Sequence, residues 1–92
     1  MLLYVVVYDI SCDKRRKKVS DLLEGYGRRV QQSVFECVLT ATKFDELRCR
    51  LKKQVELPED SVRFYPLSGH TQANVETWGE PPITKAPDSL IV

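Results

Sequence analysis

The run Leu2-Leu3-Tyr4-Val5-Val6-Val7-Tyr8 is unbroken in leucine, β-branched and aromatic residues and stops at Asp9. It has the length of a strand, and an apolar run without alternation is buried on both faces. It therefore reads as the central strand of a sheet. Such a strand needs partners on either side and a covering layer, and the rest of the chain must supply them.

Reading outward, Ile10-Ser11-Cys12-Asp13 is a turn with Ser11 and Asp13 as candidate helix caps. A helix is expected from Asp13 to Glu24, because Val19, Leu22, Leu23 and Tyr26 fall at i, i+3, i+4 and i+7. Gly25 and Gly27 supply its stop. From Arg29 to Thr40, Val30, Val34 and Val38 share one parity while Phe35, Cys37 and Leu39 share the other. This is strand, with apolar residues on both faces; whether it bends or splits at its middle stays open. A second helix runs from Thr42 to Val55, with Thr42 and Asp45 as an approximate capping box and Phe44, Leu47, Leu51 and Val55 as its stripe. After the Pro58-Glu59-Asp60 loop, Ser61 to Leu67 is a strand whose Pro66 suits an edge. Ser68-Gly69-His70 reads as a turn, and Gln72 to Trp78 as a fourth, weaker strand.

These elements compose an α+β fold of the ferredoxin-like βαββαβ kind, an antiparallel sheet with two helices on one face. The domain covers residues 1–79, and residues 80–92 form an extended tail. Pro81, Pro82 and Pro87 lie in or near it, yet the chain ends Ser89-Leu90-Ile91-Val92, apolar and β-prone. That ending is expected to add a strand to a sheet edge, the partner's in a dimer.

At 92 residues the chain is one small domain with a marginal core, since folding at this size removes only about 60% of the unfolded surface from water. With no other staple on offer, oligomerisation is expected. Cys12, Cys37 and Cys49 are odd in number and form no C-x-x-C pair, which argues against a disulfide framework and a zinc knuckle. No basic segment precedes the first apolar run and no apolar stretch approaches membrane-spanning length, so a cytoplasmic protein without membrane association is expected. Charge is unevenly spread: residues 1–53 carry 12 Lys/Arg against 7 Asp/Glu, and residues 54–92 carry 2 against 6. Clusters such as Lys14-Arg15-Arg16-Lys17-Lys18 and Arg28-Arg29 suit a polyanion or form solvated faces.

Asp9 is the most informative polar residue. It stands at the end of a buried strand, just before a basic helix start, where ligands of open α/β sheets commonly bind. A carboxylate there can hold a hard cation or cap the turn. Magnesium needs one or two protein carboxylates when phosphates and waters complete its shell, so two Asp9 residues across a two-fold axis would suffice where one scarcely would. Asp13 reads as a cap residue, and Ser11 could orient water or substrate, or cap. His70 has no ligand or triad partner at a telling spacing. No phosphate loop, dinucleotide fingerprint or RNP-type aromatic pair is present. Tyr4, Tyr65 and Trp78 read as packing residues.

Together, Tyr8-Asp9, Asp13-Lys14-Arg15-Arg16, Gly27-Arg28-Arg29-Val30-Gln31-Gln32-Ser33-Val34-Phe35-Glu36 and Asp60-Ser61-Val62-Arg63-Phe64-Tyr65-Pro66-Leu67 resemble, in order, the small CRISPR-associated protein of spacer acquisition. The resemblance spans roughly residues 2–79. It implies a ferredoxin-like homodimer in which Asp9 binds a divalent metal, Mg2+ or Mn2+, at the dimer interface and serves as the catalytic residue of an RNA or DNA endonuclease. It places Tyr8 beside the metal, Arg15, Arg16, Arg28 and Arg29 within reach of nucleic acid, and Ser33 and Phe35 at the interface around the site. Cys12 departs from the acidic or small polar residue common there, which leaves Asp9 untouched. The resemblance implies a larger integrase as partner, and it carries two roles: a metal-dependent nuclease, or a non-catalytic scaffold bridging integrase subunits and DNA.

Overall fold

A computed structural model describes residues 1–84 of the chain. Strand β1 (Leu2–Asp9) is followed by helix α1 (Asp13–Glu24), the hairpin β2 (Arg28–Gln31) and β3 (Val34–Leu39), helix α2 (Ala41–Lys52), strand β4 (Ser61–Leu67) and a short helix α3 (Gly69–Ala73). The four strands form one sheet in the order β2-β3-β1-β4, and every neighbouring pair is antiparallel. This is the ferredoxin-like arrangement, with β1 between β3 and β4 as its apolar run requires.

Alternation along the strands divides the sheet into two faces. Tyr4, Val6 and Tyr8 of β1 and Phe35, Cys37 and Leu39 of β3 pack with Val19 and Leu23 of α1 and Leu47 and Leu51 of α2 into one buried cluster. Phe44 stacks on Tyr4 at 4.1 Å between ring centroids and meets Phe64 of β4 edge-on at 5.4 Å. The two helices thus cover one face. The other face carries Val5 and Val7, paired with Glu36 and Val34 on β3 and with Tyr65 and Arg63 on β4. Val5, Val7, Val34 and Val38 remain half-buried there.

The long middle segment splits rather than bends. Gln32 and Ser33 make its turn, with Ser33 at φ 69°, and a register shift lies between Arg29 and Gln31. The cap of α2 is Thr40, whose side chain accepts the Lys43 N–H at 3.2 Å, in place of a Thr42–Asp45 box. At α1 the cap position belongs to Cys12 rather than Ser11 or Asp13, and no side chain there closes a capping bond.

The expected strand over 72–78 is not formed. Ser68 caps α3 by accepting the Thr71 N–H at 3.1 Å, and the chain beyond Ala73 is irregular. A serine followed three residues on by a threonine amide in reach was a helix start, and it outweighed the weak alternation after it. Trp78 is not a packing residue: it is 89% exposed, and Tyr65 is exposed as well, whereas Tyr4 is buried. Residues 80–84 return to the sheet, where Arg28 donates to the Pro82 carbonyl at 2.6 Å and the Thr84 N–H to Glu36 at 2.8 Å. The expected strand Ser89–Val92 lies outside the described residues. Among the described residues no helix is long and apolar enough to cross a membrane.

Candidate functional site

Asp9 is the last residue of β1 and stands opposite Ser61, the first of β4. It is exposed, and its carboxylate has no hydrogen-bond or ion-pair partner among the described residues. Its parity puts it at the rim of the open face, in line with Val5 and Val7. Tyr8 takes the other face: it is buried, lies 6.3 Å from the Phe35 ring, and its N–H donates to the Ser33 carbonyl at 3.1 Å. Phe35 is fully buried, and Ser11 is exposed in the turn.

The four arginines occupy different settings. Arg15 turns inward, donating from Nε to Asp60 Oδ2 at 2.8 Å and from Nη2 to Asp60 Oδ1 at 3.0 Å, with Glu59 at 3.6 Å on its outer flank. Asp60 is 1% exposed and also accepts the Glu56 N–H at 2.9 Å. The Arg15 guanidinium, then that N–H, hold the Asp60 carboxyl below the usual carboxylate range. Arg16 donates to the Ile10 carbonyl at 2.8 Å and pairs with Asp13. Arg28 faces Glu36 at 3.7 Å on the open side of the sheet. Arg29 lies on the helix side, bonded to Ser20 and 5.3 Å over the Phe35 ring.

One cleft of about 320 Å³ between α1 and the β2–β3 turn gathers Tyr8, Arg16, Ser20, Arg29, Gln32 and Ser33. Tyr8, Arg16, Arg29 and Ser33 therefore share a surface, while Asp9 and Arg28 face the opposite side and Arg15 faces the loop before β4. Asp60 was missed from sequence. The signal available was an acid directly before a strand that pairs with the end of β1, but its arginine partner lies 45 residues away.

A metal can be tested against the donors present. Among the described residues no group of three or more His, Cys, Asp or Glu side chains could enclose an ion. The exposed, unpartnered Asp9 carboxylate fits a magnesium-type ion as one ligand of a shell completed by other oxygens, which is how that ion is commonly held.

Comparison with known proteins fits this architecture. The family model described as CRISPR associated protein Cas2 matches residues 1–75. The chain is 64% identical over 92 residues to "CRISPR-associated endoribonuclease Cas2 3" of Synechocystis sp., covering 100% of both chains. It is similar to the crystal structure of Streptococcus pyogenes Cas2, with TM-score 0.74 and 39% identity, covering 84% of this chain and 99% of that one. It is also similar to a chain of a partial Cas6-RT-Cas1–Cas2 complex, with TM-score 0.80 and 34% identity over 95% of each chain. With the sheet order, the Tyr8-Asp9 strand end and the match over residues 1–75 in agreement, the chain belongs to the CRISPR associated protein Cas2 family.

Proposed function

We propose that this protein is a cytoplasmic, metal-dependent endonuclease of CRISPR spacer acquisition, acting on single-stranded RNA or on DNA as a homodimer. The observation that carries the reading is Asp9: an exposed carboxylate without a partner among the described residues, at the end of the central strand and the rim of an apolar sheet face that neither α1 nor α2 covers. Two copies joined through that face would bring two such carboxylates to one axis. The relatives' names, endoribonuclease and endonuclease, agree with phosphodiester hydrolysis.

In this arrangement Asp9 from each copy would hold Mg2+ or Mn2+. The ion would lower the pKa of a bound water and stabilise charge on the scissile phosphate. Among the described residues no group of His, Cys, Asp or Glu gathers around Asp9 to add a general base. Arg28 and Arg29, with side chains that remain substantially exposed, are the arginines best placed to meet a phosphate backbone, and such contacts fix register without reading sequence. Tyr8, Phe35 and Ser33 act from beneath, shaping the strand end and the β2–β3 turn.

The test is cleavage of single-stranded RNA and of DNA by wild type and Asp9→Asn in magnesium and in EDTA. Expected is loss of cleavage in the variant and in EDTA, with melting temperature and molar mass unchanged. Equal cleavage by both proteins would sink the metal site. The second reading, a non-catalytic scaffold between integrase subunits and DNA, is favoured by the likeness to a chain of the Cas1–Cas2 complex. It takes first place if both proteins are inactive yet bind DNA and an integrase equally.

A further inference from the structure

Among the described residues Asp9 has no side-chain partner, so the backbone around it sets where its carboxylate stands. That backbone is held from two sides by the first turn of α1. Arg16 donates to the carbonyl of Ile10, the residue after Asp9. Arg15 reaches in the other direction to Asp60, the residue before Ser61, and Ser61 is the register partner of Asp9. Asp60 closes its own loop as well: its N–H donates to the Glu56 carbonyl at 2.8 Å while its carboxylate takes the Glu56 N–H. The start of α1 and the loop before β4 therefore meet at one buried carboxylate, one residue from the Ser61–Asp9 pair that joins β4 to the end of β1.

We infer that the Arg15–Asp60 ion pair is a positioning latch for the strand end that carries Asp9, and that Arg15 is not a nucleic-acid contact. The first half rests on the reading of Asp9 as the metal-holding residue. The second follows from geometry. The Nε/Nη2 edge of Arg15 is committed to Asp60, and the Glu59 carboxylate, 3.6 Å from Nη2, repels a phosphate that approaches the remaining N–H groups. Releasing the guanidinium to a phosphate would strand Asp60, buried and charged, without its partner. A bidentate arginine–carboxylate pair fixes orientation as well as distance, which suits a brace better than a mobile phosphate hook.

The two roles make opposite predictions for Asp60→Asn. Full-length wild type, Asp9→Asn, Arg15→Met, Arg15→Lys and Asp60→Asn are compared for Mn2+-dependent cleavage of single-stranded RNA, for the salt dependence of RNA binding, and for backbone amide exchange. A latch predicts that Arg15→Met and Asp60→Asn both lower kcat, on the order of 10–100-fold, at unchanged KM, since a misplacement of about 1 Å has that effect. Arg15→Lys, which keeps the charge but not the fork, recovers part of the loss. Amides of residues 9–12 exchange faster in both variants, while those of Val5 and Phe35 do not change. A phosphate contact predicts instead that Arg15→Met raises KM and reduces the salt slope by about 0.7, and that Asp60→Asn, by freeing the arginine, tightens binding; that result overturns the latch. Unchanged exchange at residues 9–12 overturns it too. Should Asp60→Asn not fold, the double variant R15M/D60L removes both charges, and wild-type exchange there has the same consequence. Exchange needs no catalysis, so wild-type cleavage that survives Asp9→Asn sinks the metal reading while the latch is still decided.

Discussion

Cys12 and Cys37 place the same thiol in opposite surroundings. Cys12 stands at the start of α1, where the backbone N–H groups of Arg15 and then Lys14 face its sulfur and hold its pKa below the ordinary thiol value. Cys37 lies fully buried between the sheet and the helices, and burial pushes its pKa up to about 11. A thiolate is the reactive form, and a helix N-terminus stabilises it while an apolar core does the reverse. Iodoacetamide at neutral pH should therefore alkylate Cys12 and the exposed Cys49 in the folded protein, and Cys37 only after unfolding. The rate profile of Cys12 should have its midpoint below the roughly 8.5 of a free cysteine. Peptide mass spectrometry across a pH series reads both, and native labelling of Cys37 at the rate of Cys49 would contradict the burial argument.

Between α1 and the β2–β3 hairpin the chain passes through two glycines that look alike in sequence and are not. Gly25 closes α1 at φ −77°, a conformation open to any residue, and a Cβ there would meet only the Leu22 carbonyl at 3.4 Å. A Cβ on Gly27 would instead run into Cys37 Sγ, the Cys37 Cα and the Glu36 carbonyl oxygen, mostly backbone that cannot swing aside. Gly27→Ala should cost stability near the upper end of about 1–3 kcal/mol, as overpacking does. Gly25→Ala should stay within about 1 kcal/mol of wild type. Thermal melts of the two variants side by side check this, and equal melting temperatures would refute it. The contrast also marks what sequence could tell. Glycine as a helix stop was legible, and so were β1, α1, α2 and β4, because their apolar periodicity is a local property. The split between β2 and β3 was not, since its turn uses Gln32-Ser33 with Ser33 in the left-handed region, and neither residue signals that conformation. The place of Asp9 at the end of the central strand was legible because it ends an apolar run. The engagement of Arg15 was not, because a run of five basic residues looks uniform until tertiary structure turns one of them toward Asp60.

At the scale of the whole molecule, α1 and α2 both lie on one side of the sheet, so Val5, Val7, Val34 and Val38 form a half-buried apolar strip with nothing from either helix over it. Residues 80–84 are tied to the β2–β3 side through Arg28, Glu36 and Gln72, and Gln72 donates to the Thr84 carbonyl at 2.7 Å. A chain of this size gains much from covering such a strip with a second copy, and a two-fold axis through it would set Asp9 against Asp9. Val7 and Val34 are directly paired across β1 and β3, so glutamates at both would put two carboxylates into each copy's face and four into the joint interface. Arg63 stands opposite position 7, but no cation is in register with position 34, so burying these like charges in the interface is costly, while a monomer leaves them in water. V7E/V34E should therefore sediment as a monomer with an unchanged far-UV spectrum, and it should lose metal-dependent cleavage although its own Asp9 is intact. Wild type should sediment at twice the chain mass. A wild-type monomer that still cleaves would show that one Asp9 suffices, and would remove the paired-carboxylate arrangement from the mechanism.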